Sequence, residues 1–301
     1  MIQLPNAFVQ TIKSVHKEKG EQWLKHFNKL IEECEEHWQM QIMSPFPLTY
    51  NFVAPAVRED GTEVVVKLGI PGEEFNAEAY ALQQFNGRGM VTIIDADTEK
   101  GILILNRFLP GNMLASLDDD EASTHIASTV MKALWAPAPD SLQVPTSEHR
   151  EKALSKILAE NPEGIGPITR EILQKAAETF TTLNRSIEKP YLLHGDLHHY
   201  NILQTGSDSW AAIDPKGLIG DREYDIIQFL LNRLPAENWS AVLEKRIAIL
   251  SGKLNLNTHR IYSWGFAHSV LATCWSIEDH ENYDEAFYRS IQYFWDHSRP
   301  I

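Results

Sequence analysis

The stretch His194-Gly195-Asp196-Leu197-His198-His199-Tyr200-Asn201, followed 13 residues after Asn201 by Asp214, decides how the rest of the chain is read. It interrupts the helical spacing that surrounds it. Tyr191-Leu192-Leu193 leads in, and Ile202-Leu203-Gln204 and Trp210-Ala211-Ala212-Ile213 lead out, with Gly206-Ser207-Asp208-Ser209 between them. Short apolar runs bounded by turn residues read as strands, so a polar loop sits at one end of a short hairpin and Asp214 at the other.

Phosphoryl transfer from a nucleotide to a hydroxyl needs a carboxylate that orients the acceptor and takes its proton. It also needs a divalent metal held by hard oxygen ligands. Asp196, Asn201 and Asp214 supply three such oxygens. The hairpin supplies rigidity, which matters because this chemistry is mostly positioning and charge stabilisation.

Upstream of the loop, residues 21–38 place Trp23, Phe27, Leu30, Ile31, Cys34 and Trp38 on one face of a helix. Pro45, Pro47 and Pro55 then mark an extended region. Glu63–Leu68 follows the Asp60-Gly61 turn as a β-branched strand, and residues 73–85 return to helical spacing. Two strand-like runs, Met90–Ala96 and Gly101–Leu109, are joined by a polar turn and closed by Pro110-Gly111. Strands with a helix packed beside them suit a small α+β lobe over residues 1–109. From 110 to 301 helices dominate, at 167–184 and 222–300 among others, with a Pro, Ala and Ser-rich loop at 134–147. Lys67 lies within the apolar strand, where an unpaired charge is costly, so it needs an anion.

Composition limits the function classes. The 301 residues hold 27 Lys plus Arg against 41 Asp plus Glu, a net charge of −14. This excess opposes a general nucleic-acid binder and is compatible with a cationic ligand. Cys34 and Cys274 have no paired-cysteine spacing and read as buried free thiols of a reducing cytoplasm. No signal peptide is read at the N-terminus, and the uncharged stretch Ile261–Ile277 reads as a buried helix, so no membrane partner is expected.

His194, Asp196 and Asn201 match the HxDxxxxN catalytic loop of the protein-kinase-like fold, in the HGD form of aminoglycoside phosphotransferases. Ile213-Asp214-Pro215-Lys216-Gly217 resembles that family's metal-binding segment, and Gly220-Asp221-Arg222-Glu223-Tyr224-Asp225 the element after it. LLHGDLHHYNIL with AAIDPKGLIGDREYDI, and the later WGFAHSVLATCWSIEDH, is most similar to the streptomycin 6-phosphotransferase and hydroxyurea-resistance kinase subfamily.

The resemblance implies a bilobal α+β fold, with a small lobe of antiparallel sheet plus helix and a larger helical lobe. It implies that Asp196 is the catalytic base and that Asn201 and Asp214 bind Mg2+. Lys67 would contact the α- and β-phosphates of ATP or GTP, paired with Glu78, with Glu74 as a rival partner. Asn106, Arg107 and Phe108, with Leu109, would form the hinge whose backbone holds the adenine edge. His194, Asp221 and Asp225 would be structural, anchoring the loop and capping the next helix. One departure stands out: Leu48–Val53, ahead of Lys67, contains no glycine where kinases carry GxGxxG.

On the acceptor side, Trp264, Phe266, His268, Trp275, Glu278, Asp279 and His280 share one C-terminal region. Trp275, Glu278 and Asp279 could hold a cationic sugar by stacking and charge. The expected enzyme is a cytoplasmic small-molecule kinase, monomeric or homodimeric, acting on an aminoglycoside or related aminocyclitol. Kinases of hydroxyurea, sugars, choline or amino alcohols share the same loop. A non-catalytic nucleotide-binding module would account for the missing glycines. A metal-dependent hydrolase would use His194, Asp196, His198 and His199 as ligands.

Overall fold

The computed structural model describes residues 2–138, 144–280 and 282–298. The middle of the expected 134–147 loop and the His280 side chain lie outside the described residues. The chain divides into two compact units, Met1–Gly111 and Asn112–Ile301.

The first unit is built from α1 (Asn6–Trp38), β1 (Met40–Ile42), β2 (Phe52–Arg58), β3 (Glu63–Leu68), α2 (Glu73–Phe85), β4 (Ile93–Asp97) and β5 (Ile102–Asn106). Its five strands form an antiparallel sheet in the order β1-β2-β3-β5-β4. Period-two alternation sorts β3 by face: Val64, Val66 and Leu68 join a core with Phe27 and Ile31 of α1 and Phe52 of β2. Lys67 falls on the opposite face by the same alternation.

Two elements exceed the expectation. α1 begins at Asn6, well before residue 21, because non-helical backbone at Lys17 interrupts the spacing. Phe8 and Ile12 before the break are nevertheless buried. Gly20 permits the close approach there, since a Cβ at that position would lie 2.4 Å from the Ile12 carbonyl oxygen. Phe52–Arg58, read only as an extended region punctuated by prolines, is a strand paired on both sides, with Pro55 opposite Val65. Pro55 still contributes its carbonyl, which accepts from the Met43 amide at 2.8 Å. The glycine-free segment therefore falls where the β1–β2 connection enters β2.

The second unit contains α3 (Asp120–Leu134), β6 (Ala136–Pro137), α4 (Ser147–Glu160), β7 (Gly164–Ile165), β8 (Ile168–Thr169) and α5 (Arg170–Arg185). It continues with β9 (Tyr191–Leu193), β10 (Ile202–Gln204), β11 (Trp210–Ala212), β12 (Leu218–Gly220), α6 (Arg222–Asp225) and α7 (Ile227–Leu231). Three longer helices, α8 (Trp239–Leu254), α9 (Thr258–His280) and α10 (Glu285–His297), close the chain. α9 packs against α5 and α10 and buries Ile261, Trp264, Phe266, Val270, Leu271 and Cys274. Buried Arg246 of α8 joins its neighbours by donating to the carbonyls of Phe229, Leu230 and Asn232 and to the Asp120 carboxylate. Among the described residues, no helix is long and apolar enough to cross a membrane.

Candidate active site

The 194–201 loop is held by backbone and side chains that converge on His194. β9 pairs antiparallel with β12, Leu193 opposite Leu218, and β10 pairs with β11, Ile202 opposite Ala212. His194, leaving β9, is fully buried. Its Nε2 lies 2.9 Å from the Ile213 carbonyl oxygen, and its Nδ1 is 3.2 Å from the Asp196 amide. These partners require Nε2–H to donate and Nδ1 to accept, which is the neutral imidazole. Burial agrees, pushing its pKa down to about 4. The His194 carbonyl in turn accepts from the amides of Lys216 and Gly217, at 2.9 and 3.1 Å. One residue thus ties the loop to the segment that carries Asp214, and it acts as a clamp rather than a proton carrier.

Gly195 sits at a φ of 82°, and a Cβ there would come within 3.3 Å of the Lys216 and Leu218 side chains. Asp225 receives the Gly195 amide at 2.8 Å, the His194 amide at 3.1 Å and the Trp135 indole at 2.9 Å. Asp221 faces elsewhere. Its carboxylate takes Arg260 Nε at 2.6 Å and Trp264 Nε1 at 2.9 Å, and it makes no side-chain cap on α6. Asp225 anchors the loop, while Asp221 ties α6 to α9.

Asp196 follows this anchored pair, with its side chain 27% exposed. Desolvation pushes its pKa up to about 6, against the pull of Lys216 and Arg150 and with a smaller push from Asp214. A carboxyl with that affinity for a proton suits a group that must accept one. Asn201 commits its amide nitrogen to the Asp196 carbonyl at 3.0 Å. Its own carbonyl accepts from the Ile213 amide at 2.9 Å, which brings Asn201 beside the residue preceding Asp214. Asp214 adopts a left-handed φ of 60°, a conformation in which non-glycine residues concentrate at functional sites. The Asn201 side-chain carbonyl and the Asp214 carboxylate are hard oxygen donors of the kind that suits a small divalent cation.

Of the four candidate ligands of a hydrolase site, His198 lies 3.9 Å from Asp196, but the other two histidines are committed elsewhere. His199 stacks on Phe229 at 4.1 Å and bonds Asn232 through Nδ1 at 3.0 Å, while His194 is spent on Ile213. Among the described residues, no group of three or more His, Cys, Asp or Glu side chains is arranged to hold a metal.

In the first unit, Lys67 of β3 is only 4% exposed and Glu78 of α2 only 7%. Lys67 Nζ reaches both Glu78 oxygens, at 2.6 and 2.7 Å. Glu74 is exposed, so the choice between the two glutamates falls to Glu78. At the end of β5 the Asn106 amide donates to the Thr92 carbonyl at 3.0 Å. Arg107 pairs with Glu63 at 3.0 Å, Phe108 is half-buried and Leu109 is exposed.

Trp275 is half-buried, and Glu278 and Asp279 are exposed one turn farther along α9. The face of Trp275 is already taken: the Arg150 guanidinium of α4 lies 5.0 Å from its ring centroid. Burial, with the neighbouring Glu160 and Asp279, raises the Glu278 pKa. Arg150 is the residue that sequence reasoning missed. SEHREKALSKILAE reads as an ordinary charged helix, with no signal that its one arginine packs over Trp275.

The aminoglycoside/hydroxyurea antibiotic resistance kinase family matches residues 37–280. A streptomycin 6-kinase of Streptomyces glaucescens is 27% identical over 291 residues, spanning 93% of this chain and 92% of that protein. A hydroxyurea phosphotransferase of Kitasatospora aureofaciens is 28% identical over 291 residues, spanning 93% of this chain and 82% of that protein. The crystal structure of a choline kinase from Streptococcus pneumoniae superposes with a TM-score of 0.65 at 16% identity, covering 90% of this chain and 98% of that one. That likeness gives the fold, the protein-kinase-like fold that the resemblance implied.

Proposed function

The chain belongs to the aminoglycoside/hydroxyurea antibiotic resistance kinase family, and from that premise we propose that it transfers the γ-phosphate of ATP to a hydroxyl of an aminoglycoside or related aminocyclitol. The reading rests on one observation above others: the His194 clamp, which binds the Asp196 loop and the Asp214 segment to the same imidazole and carbonyl. In this reading Asp196 orients the acceptor hydroxyl and accepts its proton at a carboxylate oxygen.

Asn201 and Asp214 would hold Mg2+ through an amide carbonyl and a carboxylate, which fits their donor chemistry. When bound, the metal would offset charge on the triphosphate. Lys67, fixed by Glu78, would meet the phosphates, and the backbone of Asn106, Arg107 and Phe108 would meet the base. Residues 1–109 would then serve the nucleotide and residues 110–301 the acceptor.

A second reading within the family is a small uncharged acceptor, favoured by the relative named as a hydroxyurea phosphotransferase. A coupled ADP-release assay with streptomycin and hydroxyurea distinguishes the two. Asp196→Ala should lower kcat by roughly 10²–10⁴ while leaving nucleotide binding nearly intact. Asp214→Ala should instead abolish the Mg2+-dependent thermal shift produced by ATP. Near-parental turnover by Asp196→Ala would remove the carboxylate from its role.

A further inference from the structure

Building on the phosphotransfer reading, we propose that His198 is a positioning residue for the proposed metal ligand Asn201. Its ring Nε2 accepts the second side-chain N–H of Asn201, which leaves the Asn201 side-chain oxygen as the atom turned to the divalent cation.

His198 lies between Asp196 and Asn201 in the loop and is the N-cap of the single 3-10 turn His199–Asn201. The Asn201 amide closes that turn by donating to the His198 carbonyl at 2.9 Å. Ring and side-chain amide are therefore carried on the same turn. Three polar groups face the two ring nitrogens. The Tyr200 amide lies 3.3 Å from Nδ1, Asn201 Nδ2 lies 3.3 Å from Nε2, and Asp196 Oδ1 lies 3.9 Å from Nε2.

These contacts decide where the ring proton resides. Asn201 Nδ2 also donates to the Asp196 carbonyl at 3.0 Å. That bond fixes which end of the amide is nitrogen, because the reversed amide would set two carbonyl oxygens against each other. Two N–H donors then face a neutral ring that has one accepting nitrogen, so one of them goes without. Tyr200 is 47% exposed, and water can take its amide. Asn201 is 8% exposed, and a donor left unpaired there carries the larger penalty. Nε2 is thus the accepting nitrogen, and Nδ1 bears the proton. The distance to Asp196 agrees. A protonated Nε2 would close on that carboxylate to hydrogen-bond length, whereas two acceptors stay apart. Both Nδ2 hydrogens of Asn201 are then held, one by the Asp196 carbonyl and one by His198. The amide cannot turn over, and its oxygen is oriented before any metal arrives.

The test compares two substitutions that each keep an acceptor near the place of one ring nitrogen. His198→Gln sets a carbonyl oxygen near the position of Nε2, and His198→Asn sets one near that of Nδ1. On the full-length protein, the Mg2+ concentration that gives half of the ATP-dependent thermal shift is measured for the parent and both variants. Calorimetry measures ATP binding without metal alongside it. His198→Asn should raise that Mg2+ concentration by about tenfold or more, with metal-free ATP binding near the parent. His198→Gln should stay near the parent in both. The reverse order, or parental values for His198→Asn, overturns the proposal, because the ring would then serve only to cap the turn. A parent whose ATP-dependent shift ignores Mg2+ overturns it as well. A second measurement needs no variant: two-bond 1H–15N correlation of the His198 ring in the parent should place the proton on Nδ1, and a proton on Nε2 overturns the proposal. None of these readouts uses an acceptor, so failure to release ADP with any acceptor counts against phosphotransfer and leaves His198 decided by the metal titration.

Discussion

Asp196 combines a chemical requirement with a folding penalty. Burial raises its pKa from 3.8 to about 6, so the folded chain holds that proton more tightly than the unfolded chain. The stability contributed by the neutral carboxyl is full below about pH 4 and is lost as pH rises through about 6. Asp196→Asn keeps the shape and removes the charge. It should be more stable than the parent at pH 7.5, by roughly 1–3 kcal/mol, and match it near pH 4, while losing turnover. Calorimetry at the two pH values checks this, and a variant equally shifted at both would refute the electrostatic origin. At this scale the placement of Asp196, Asn201 and Asp214 on a loop and the hairpin beside it was legible from short apolar runs bounded by turn residues. Glu78 could be separated from Glu74 only by folding, since both lie on α2 within reach of Lys67 in sequence terms. Arg150 was invisible because nothing in a helix's own residues says which face the tertiary structure will turn toward a loop from elsewhere in the chain.

The catalytic loop is an element without regular hydrogen bonding, and its shape comes from what it is tied to. Gly195 and Asp225 carry that burden. A side chain at Gly195 would strain a φ of 82° and press on Leu218 and Lys216. Gly195→Ala should therefore cost about 1–2 kcal/mol and lower kcat more than it raises the KM for ATP, because the residue it displaces is Asp196. Unfolding in urea together with steady-state kinetics would show both effects, and full activity would mean that the loop tolerates the shift. Asp225→Ala would leave the His194 and Gly195 amides and the Trp135 indole without their acceptor and should be the more damaging change, by about 2–4 kcal/mol. Elements whose apolar residues recur without interruption, such as α2 and β3, were legible at their observed bounds. α1 was cut short by the break at Lys17, and β2 was hidden by Pro55, which ordinarily argues against a strand paired on both sides.

At the scale of the whole molecule, the −14 charge acts on a charged acceptor before contact. A chain with 41 acidic against 27 basic side chains attracts a polycation over about a Debye length, a reach that is longest at low salt, and added ions screen that attraction. Between about 20 and 300 mM salt, kcat/KM for streptomycin should fall severalfold, while that for hydroxyurea, which carries no charge, should stay within about twofold. If the streptomycin value were flat across the salt range, the acidic surface would have no part in delivering the acceptor. Composition alone then would have suggested a cationic ligand for a reason unrelated to the site, and charge complementarity would have to be sought only in the Glu278 and Asp279 end of α9.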